Sequence, residues 1–168
     1  MLGFWFLFDK DDEEYLLQII KKLSDTYDSE IFIPHITAHG ITNLQFNNIN
    51  KKISDYIKNC ESFVIMKNKL LFSNDYWKTL FIDIVQNKNM SKINEKLKYE
   101  IPIIEKYYFQ PHISLIYQNL DKDEKIKLTK ELKIKKDFKI SRLSIQKYSK
   151  NIKKWKSVKE YSLKTINK

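Results

Sequence analysis

The chain has 168 residues, 42% hydrophobic and 14% aromatic, with 31% charged and only two glycines, which describes one domain or two small lobes sharing a core and excludes a disordered or low-complexity chain. A lone cysteine, Cys60, excludes an intramolecular disulfide framework and a cysteine-built zinc site, and is expected as a small buried residue. A formal net charge of +10 suits an anionic partner, yet Arg142 is the only arginine, and a patch built to grip phosphate would use more of them.

Residues 3–8 are an apolar run and read as a buried strand. They lack a basic leader and run into Asp9-Lys10-Asp11-Asp12-Glu13-Glu14, the reverse of a signal peptide's charge order. No stretch is long enough to span a membrane, so a cytoplasmic protein is expected. Residues 11–27 predict a helix, with Tyr15, Leu16, Ile19, Ile20, Leu23 and Tyr27 on one stripe and carboxylates in the first turn. Residues 31–39 predict a strand, and 44–58 a second helix with Phe46, Ile49, Ile53, Tyr56 and Ile57 on one face. Strands follow at 61–66 and 69–73, joined by a tight turn at Lys67-Asn68, and at 76–85. A short helix near 91–98 leads to a strand at 107–117. Asp121, with Glu124 three residues on, resembles a capping box and starts a helix to about 132. Strands near 138–148 and 154–164 close the order, with a bulge where alternation slips between Ile140 and Leu143. No linker divides the chain, and strands mixed with helices of these lengths imply an α+β fold with helices outside and sheets facing a cleft.

Within this order one phrase occurs twice. Phe32-Ile33-Pro34-His35-Ile36-Thr37 is echoed by Phe109-Gln110-Pro111-His112-Ile113-Ser114, nearly half the chain later. Two of the three histidines and two of the three prolines are spent on it. In a strand, residues two apart share a face, so His35 sides with Thr37 and His112 with Ser114, while Ile36 and Ile113 face apolar packing. Two such strands facing each other would surround one small anion with two imidazoles and two hydroxyls. A neutral imidazole can take a proton from water attacking phosphorus, and a protonated one can return a proton to the departing oxygen. The hydroxyls can hold the non-bridging oxygens, so the chemistry needs no metal and no cofactor. A bell-shaped pH–rate profile is expected from such a pair.

The paired His-x-Thr/Ser strands resemble the signature of the two-histidine phosphoesterase superfamily. The segment Phe109–Tyr117 looks like its cyclic phosphodiesterase branch, known from plants and yeast, and the likeness extends over essentially the whole chain. The resemblance implies a bilobal fold: two antiparallel-sheet lobes with outer helices and pseudo-two-fold symmetry around a central cleft. It implies metal-independent opening of a nucleoside 2′,3′-cyclic phosphate to the 2′-phosphate, or of ADP-ribose 1″,2″-cyclic phosphate to the 1″-phosphate. By motif position His35 and His112 would be the acid/base pair, with His112 as base and His35 as acid, and Thr37 and Ser114 the phosphate holders. Tyr117 sits where the family places a substrate-holding tyrosine, although strict alternation puts it on the other face, so the strand must end or twist there. The lone cysteine departs from plant members, which carry disulfides near the cleft.

Further substrate-binding candidates are His39, which shares strand parity with His35 and Thr37, and Lys78, near where relatives carry a basic residue. Trp5 and Trp77 could stack on a base, although strands this apolar usually keep tryptophan in the core. The plainer reading of His39 is a surface residue at a strand end beside Gly40, and its spacing from His35 is not the helical pairing that binds zinc, so no metal site is expected. The run Lys150–Lys156 around Trp155 reads as a solvated edge strand. The expected partner is a small cyclic nucleotide, with RNA ends, 2′–5′ linkages or cyclic oligonucleotide defence signals as alternatives. A non-catalytic nucleotide-binding module is the remaining reading. A monomer without membrane contact is expected.

Overall fold

The computed structural model describes residues 1–165. Strand β1 (Leu2–Phe8) is buried on both faces, as its unbroken apolar run requires. Helix α1 (Lys10–Tyr27) starts where the Asp9 carboxylate accepts a hydrogen bond from Asp12 N, with Asp11, Asp12 and Glu13 at the positive end of the helix dipole. It ends at Asp28, whose left-handed φ of 47° closes the last turn. The chain then runs through β2 (Ile36–Thr42), α2 (Phe46–Asn59), β3 (Phe63–Phe72), β4 (Leu80–Ile84) and α3 (Lys88–Glu100). It finishes with β5 (His112–Ile116), α4 (Lys122–Glu131), β6 (Asp137–Lys147) and β7 (Lys156–Ser162). Helix α2 buries Ile49, Ile53 and Ile57, four residues apart, on one stripe.

The strands follow the path β2-β1-β6-β3-β4-β5, with β7 also on β6, and all these pairings are antiparallel. Strand β3 changes partner half-way: Phe63–Met66 pair with β6, and Lys67–Phe72 with β4. The strands carrying the two histidine motifs therefore lie at opposite ends of the path. These ends nonetheless meet, with Cα atoms of β2 and β5 within 8 Å of each other. The main core holds Phe4, Phe6, Phe8, Phe63 and Phe138 with the apolar stripes of the helices, and a smaller cluster of Ile20, Phe32, Tyr117 and Ile152 lies beneath the meeting point.

Several boundaries differ from the sequence expectation. The strand expected at 31–39 begins only at Ile36, because Pro34 has no N–H for the ladder. The turn expected at Lys67-Asn68 is absent, and β3 runs straight through it. Among the described residues only Asp28 has a positive φ without being glycine, so Lys67-Asn68 cannot form a two-residue hairpin turn of the primed type. The backbone there bonds both neighbours instead: Lys67 N donates to Lys136 O at 2.8 Å and Met66 O accepts from Val85 N at 2.9 Å. The strand expected at 76–85 starts at Leu80, because the Asp75 carboxylate accepts from Trp77 N at 2.9 Å and winds Tyr76–Lys78 into one 3-10 turn. The strand expected at 107–117 shrinks to His112–Ile116, and residues 101–111 cross the end of β2 without regular structure. Asp121 caps α4 by accepting from Glu124 N, but the Glu124 carboxylate bonds the Tyr27 hydroxyl at 2.5 Å rather than closing a capping box. The expected bulge in β6 is present: Leu7 pairs with Arg142 and Phe8 with Ile140, leaving Ser141 unpaired. Cys60 is half-buried and its thiol donates to Tyr56 O at 3.4 Å.

Candidate active site

A cleft of about 460 Å³ opens where β2 meets β5, and His35, Thr37, His112, Ser114, Lys78 and Tyr117 all border it. The two motifs thus converge, and they do so with the same local geometry. His35 Nδ1 donates to Ile33 O at 2.7 Å, and His112 Nδ1 donates to Gln110 O at 2.8 Å. In each case the acceptor is the carbonyl of the residue before the proline. A residue before proline is held extended, which explains why the repeated phrase contains proline: it presents that carbonyl to the imidazole two residues on. With Nδ1 committed as donor, the neutral ring carries its lone pair on Nε2. Neither Nε2 has a hydrogen bond among the described residues, and both rings border the cleft.

Burial dominates the protonation of both rings. His35 is only 8% exposed, and desolvation, reinforced by His112 across the cleft, lowers its pKa from 6.5 to about 4 against the opposing pull of the Ile33 carbonyl. His112 is also lowered, first by desolvation and further by Lys78, against the Gln110 carbonyl and the negative charges of Asp83 and Asp75. Trp5 stacks on the His35 ring with centroids 3.7 Å apart and planes 14° from parallel. The edge of Phe81 supports His112 at 5.5 Å.

The hydroxyls are not equivalent. Thr37 Oγ1 has no hydrogen bond among the described residues, while its backbone carbonyl accepts from the Tyr107 hydroxyl at 2.9 Å. Ser114 Oγ donates to Trp77 O at 2.8 Å, so it must rotate before it can donate to a ligand.

Tyr117 reaches the cleft because β5 slips at Leu115: Ser114 pairs with Phe81 but Ile116 with Leu80, which carries the next residue back to the cleft side. Its hydroxyl lies beside Ser114, and burial pushes its pKa up. The same ring stacks on Phe32 at 4.0 Å, so Tyr117 serves packing and cleft together. Strand β2 slips at the equivalent place. Trp5 pairs with Thr37 and Phe4 with His39, leaving Ala38 unpaired and turning His39 off the cleft face. His39 touches the cleft only at its border. Its Nε2 bonds Ile101 O at 2.9 Å, and its ring packs on Phe4 and Tyr107. The parity expected for His39 is therefore broken by the bulge.

Lys78 borders the cleft near His112, with its ammonium 4.5 Å from the centre of the Phe81 ring. Trp5, expected among substrate-binding residues, does not border the cleft: it is 6% exposed and forms the wall behind His35. Trp77 and Trp155 do border it, lying 6.0 Å apart and nearly parallel. Trp155 sits in the basic run read as a plain edge strand, and no periodic signal marks it as facing inward.

Gly40 holds the other flank. A Cβ there would stand 2.9 Å from Tyr107 Cβ and 3.2 Å from Ile103 Cγ2, so glycine is what lets residues 101–111 lie on β2. Gly40→Ala is expected to destabilise the protein by about 1–3 kcal/mol, the usual cost of overpacking. Chemical denaturation measures this, with loss of the Tyr107–Thr37 contact as the local sign. No group of three or more His, Cys, Asp or Glu side chains placed to hold a metal occurs among the described residues, and no described helix is long and apolar enough to cross a membrane.

The sequence matches no protein-family model and no curated protein. Solved structures are similar over their full length. Escherichia coli LigT, in its complex with 3′-AMP, aligns at a TM-score of 0.63 with 10% identity, covering 96% of this chain and 97% of LigT. TT0787 of Thermus thermophilus aligns at 0.65 with 10% identity, covering 99% of each chain. Kluyveromyces marxianus Usb1, in complex with uridine monophosphate, aligns at 0.50 with 12% identity, covering 97% of each. The chain has the α+β fold of these two-histidine phosphoesterase structures.

Proposed function

We propose that the protein is a two-histidine phosphodiesterase that opens a small cyclic phosphodiester without a metal. The observation that carries this reading is the pair of imidazoles in one cleft, each with Nδ1 tied to a carbonyl and Nε2 left for the ligand. His112 is the base and His35 the acid. Lys78 disfavours charge on His112, which suits a group that must be neutral to accept a proton from water. The Trp5 face behind His35 favours an imidazolium there once an anion enters and offsets desolvation.

The steps follow from these positions. Water attacks phosphorus and gives a proton to His112 Nε2. The bond from phosphorus to the leaving sugar oxygen breaks, and His35 Nε2–H protonates that oxygen. Thr37 Oγ1, Ser114 Oγ after leaving the Trp77 carbonyl, and the Lys78 ammonium hold the non-bridging oxygens. LigT and Usb1 were each solved with a nucleotide, which supports a nucleotide substrate here. The cyclic phosphodiesterase branch, with a nucleoside 2′,3′-cyclic phosphate as substrate, fits the compact cleft best.

The test is turnover in EDTA of the four nucleoside 2′,3′-cyclic phosphates, ADP-ribose 1″,2″-cyclic phosphate and a panel of cyclic oligonucleotides. One substrate is expected to turn over with a bell-shaped pH dependence of kcat/KM. Because both rings titrate below 6.5 in the free protein, the maximum is expected on the acid side of that value. Failure of every substrate, or turnover that EDTA abolishes, would overturn the reading.

A further inference from the structure

Asp75, Trp77 and Lys78 reach the cleft on one short loop, residues 73–79 between β3 and β4. Its only regular structure is the 3-10 turn Tyr76–Lys78, and Asn74, Asp75 and Tyr76 are exposed. A single 3-10 turn has poor hydrogen-bond geometry and needs support from outside. The bonds that close the loop meet at Ser73. Ser73 N donates to Thr79 O at 3.2 Å, Ser73 Oγ donates to Lys78 O at 2.8 Å, and Asp75 N donates to Ser73 Oγ at 3.1 Å. Whatever fixes Ser73 therefore sets the backbone of Lys78. The same loop offers the Trp77 carbonyl on which the Ser114 hydroxyl rests.

Ser73 is fixed in turn from helix α4. Lys125 is 6% exposed, and its ammonium donates to Ser73 O at 2.9 Å and to Asn74 Oδ1 at 3.1 Å. No carboxylate pairs with it among the described residues. A lysine on an outer helix ordinarily keeps its ammonium in water, and burying that charge without a countercharge is unfavourable. Stability does not account for it, because an apolar side chain of similar length fills such a space at least as well. What the ammonium adds is strength and direction. A charge-assisted hydrogen bond is about twice as strong as a neutral one, and two of them here grip adjacent residues of the loop.

We propose that Lys125 is a positioning residue for the cleft: from beneath the loop it fixes Ser73, and through Ser73 it holds Lys78 at the phosphate. Lys125 itself does not border the cleft and acts only through the loop. The place of Lys78 at the phosphate rests on the phosphodiesterase reading above.

The test is a double-mutant cycle read by calorimetric titration of the full chain with the four nucleoside 2′-monophosphates. The unmodified protein is expected to bind at least one of them, and Lys78→Met to bind it about tenfold more weakly, the scale of one hydrogen bond from a charged group. Lys125→Met is expected to weaken binding about fivefold where Lys78 is present and by less than about twofold where Lys78 is already methionine, the mark of a residue that acts through another. Its melting temperature is expected to stay level or rise, since a buried charge has been exchanged for an apolar chain. A lysine with a merely structural role gives the opposite pattern, a lower melting temperature and the same loss in both backgrounds. Asn74→Ala removes one of the two acceptors at an exposed position, and is read in the same cycle with a smaller loss if Lys125→Met does not fold. Equal losses in both backgrounds, unchanged affinity in Lys125→Met, or unchanged affinity in Lys78→Met would overturn the proposal. Turnover of cyclic nucleotides is scored separately. Turnover without coupling between Lys125 and Lys78 removes the positioning role and leaves the hydrolase, and coupling without turnover does the reverse. A protein that neither binds nor turns over any of these ligands removes both.

Discussion

Replacing His35 or His112 by alanine is expected to lower kcat on the preferred cyclic phosphodiester by about 10²–10⁴-fold each, the usual contribution of a positioned proton-transfer group. The double variant is expected to lose little more than the worse single, because removing one end of a coupled transfer idles the other. The expectation rests on the shared geometry of the rings, each anchored through Nδ1 and open at Nε2. Single-turnover assays on each variant would measure it, with circular dichroism to verify the fold. His35 requires that control because its ring packs against both Trp5 and Trp155, the latter 5.8 Å away. A fully active His112→Ala would exclude the ring as base.

The second large effect concerns acid stability. All three histidines are held below their ordinary pKa, in each case chiefly by desolvation. For His35 the folded value is about 4 against 6.5 unfolded. Above 6.5 the ring is neutral in both states and costs nothing. Between 6.5 and 4 the unfolded chain binds a proton that the folded one refuses, so stability falls as pH falls. Below 4 both states carry the proton and the loss is complete. The slope is about 1.4 kcal/mol per pH unit for one such group, and the total for His35 is about 3 kcal/mol. Denaturation midpoints compared from pH 6.5 to 5 are expected to fall less steeply in His35→Gln than in the unmodified protein. Parallel slopes would mean that the ring is not held neutral by burial. On the mechanism proposed above the same depression has a consequence: the acid would gain its proton as the anionic substrate enters.

Much of this was legible from residues alone. The helical stripes of α1 and α2 and the slip in β6 follow from spacing, because a buried face imposes its own period on the chain. The pairing of His35 with Thr37 and His112 with Ser114 follows from strand alternation. Strand ends were less legible. Pro34 and Pro111 end the ladders early, and their value lies in aiming carbonyls at imidazoles, which a reading for strands treats only as interruption. The 3-10 turn at Tyr76–Lys78 depends on the Asp75 side chain competing for backbone, a local bond that apolar alternation hides.

What the sequence determined by itself was the chemistry: two imidazoles and two hydroxyls at strand spacing, in an α+β order of elements. What tertiary structure alone decided was which other groups share their cleft. Single-residue slips at Ala38 and Leu115 turn His39 away and bring Tyr117 in, and the register that produces them belongs to strand pairs rather than to either strand. Trp155 enters the cleft by packing on Trp5, from a segment more than a hundred residues away, and Trp5 stands behind His35 through the pairing of β1 with β2. The lowered histidine pKa values have the same origin, since desolvation is a property of everything packed around a ring. Composition and spacing set what a side chain can do, whereas burial and register, being collective, set where it does it.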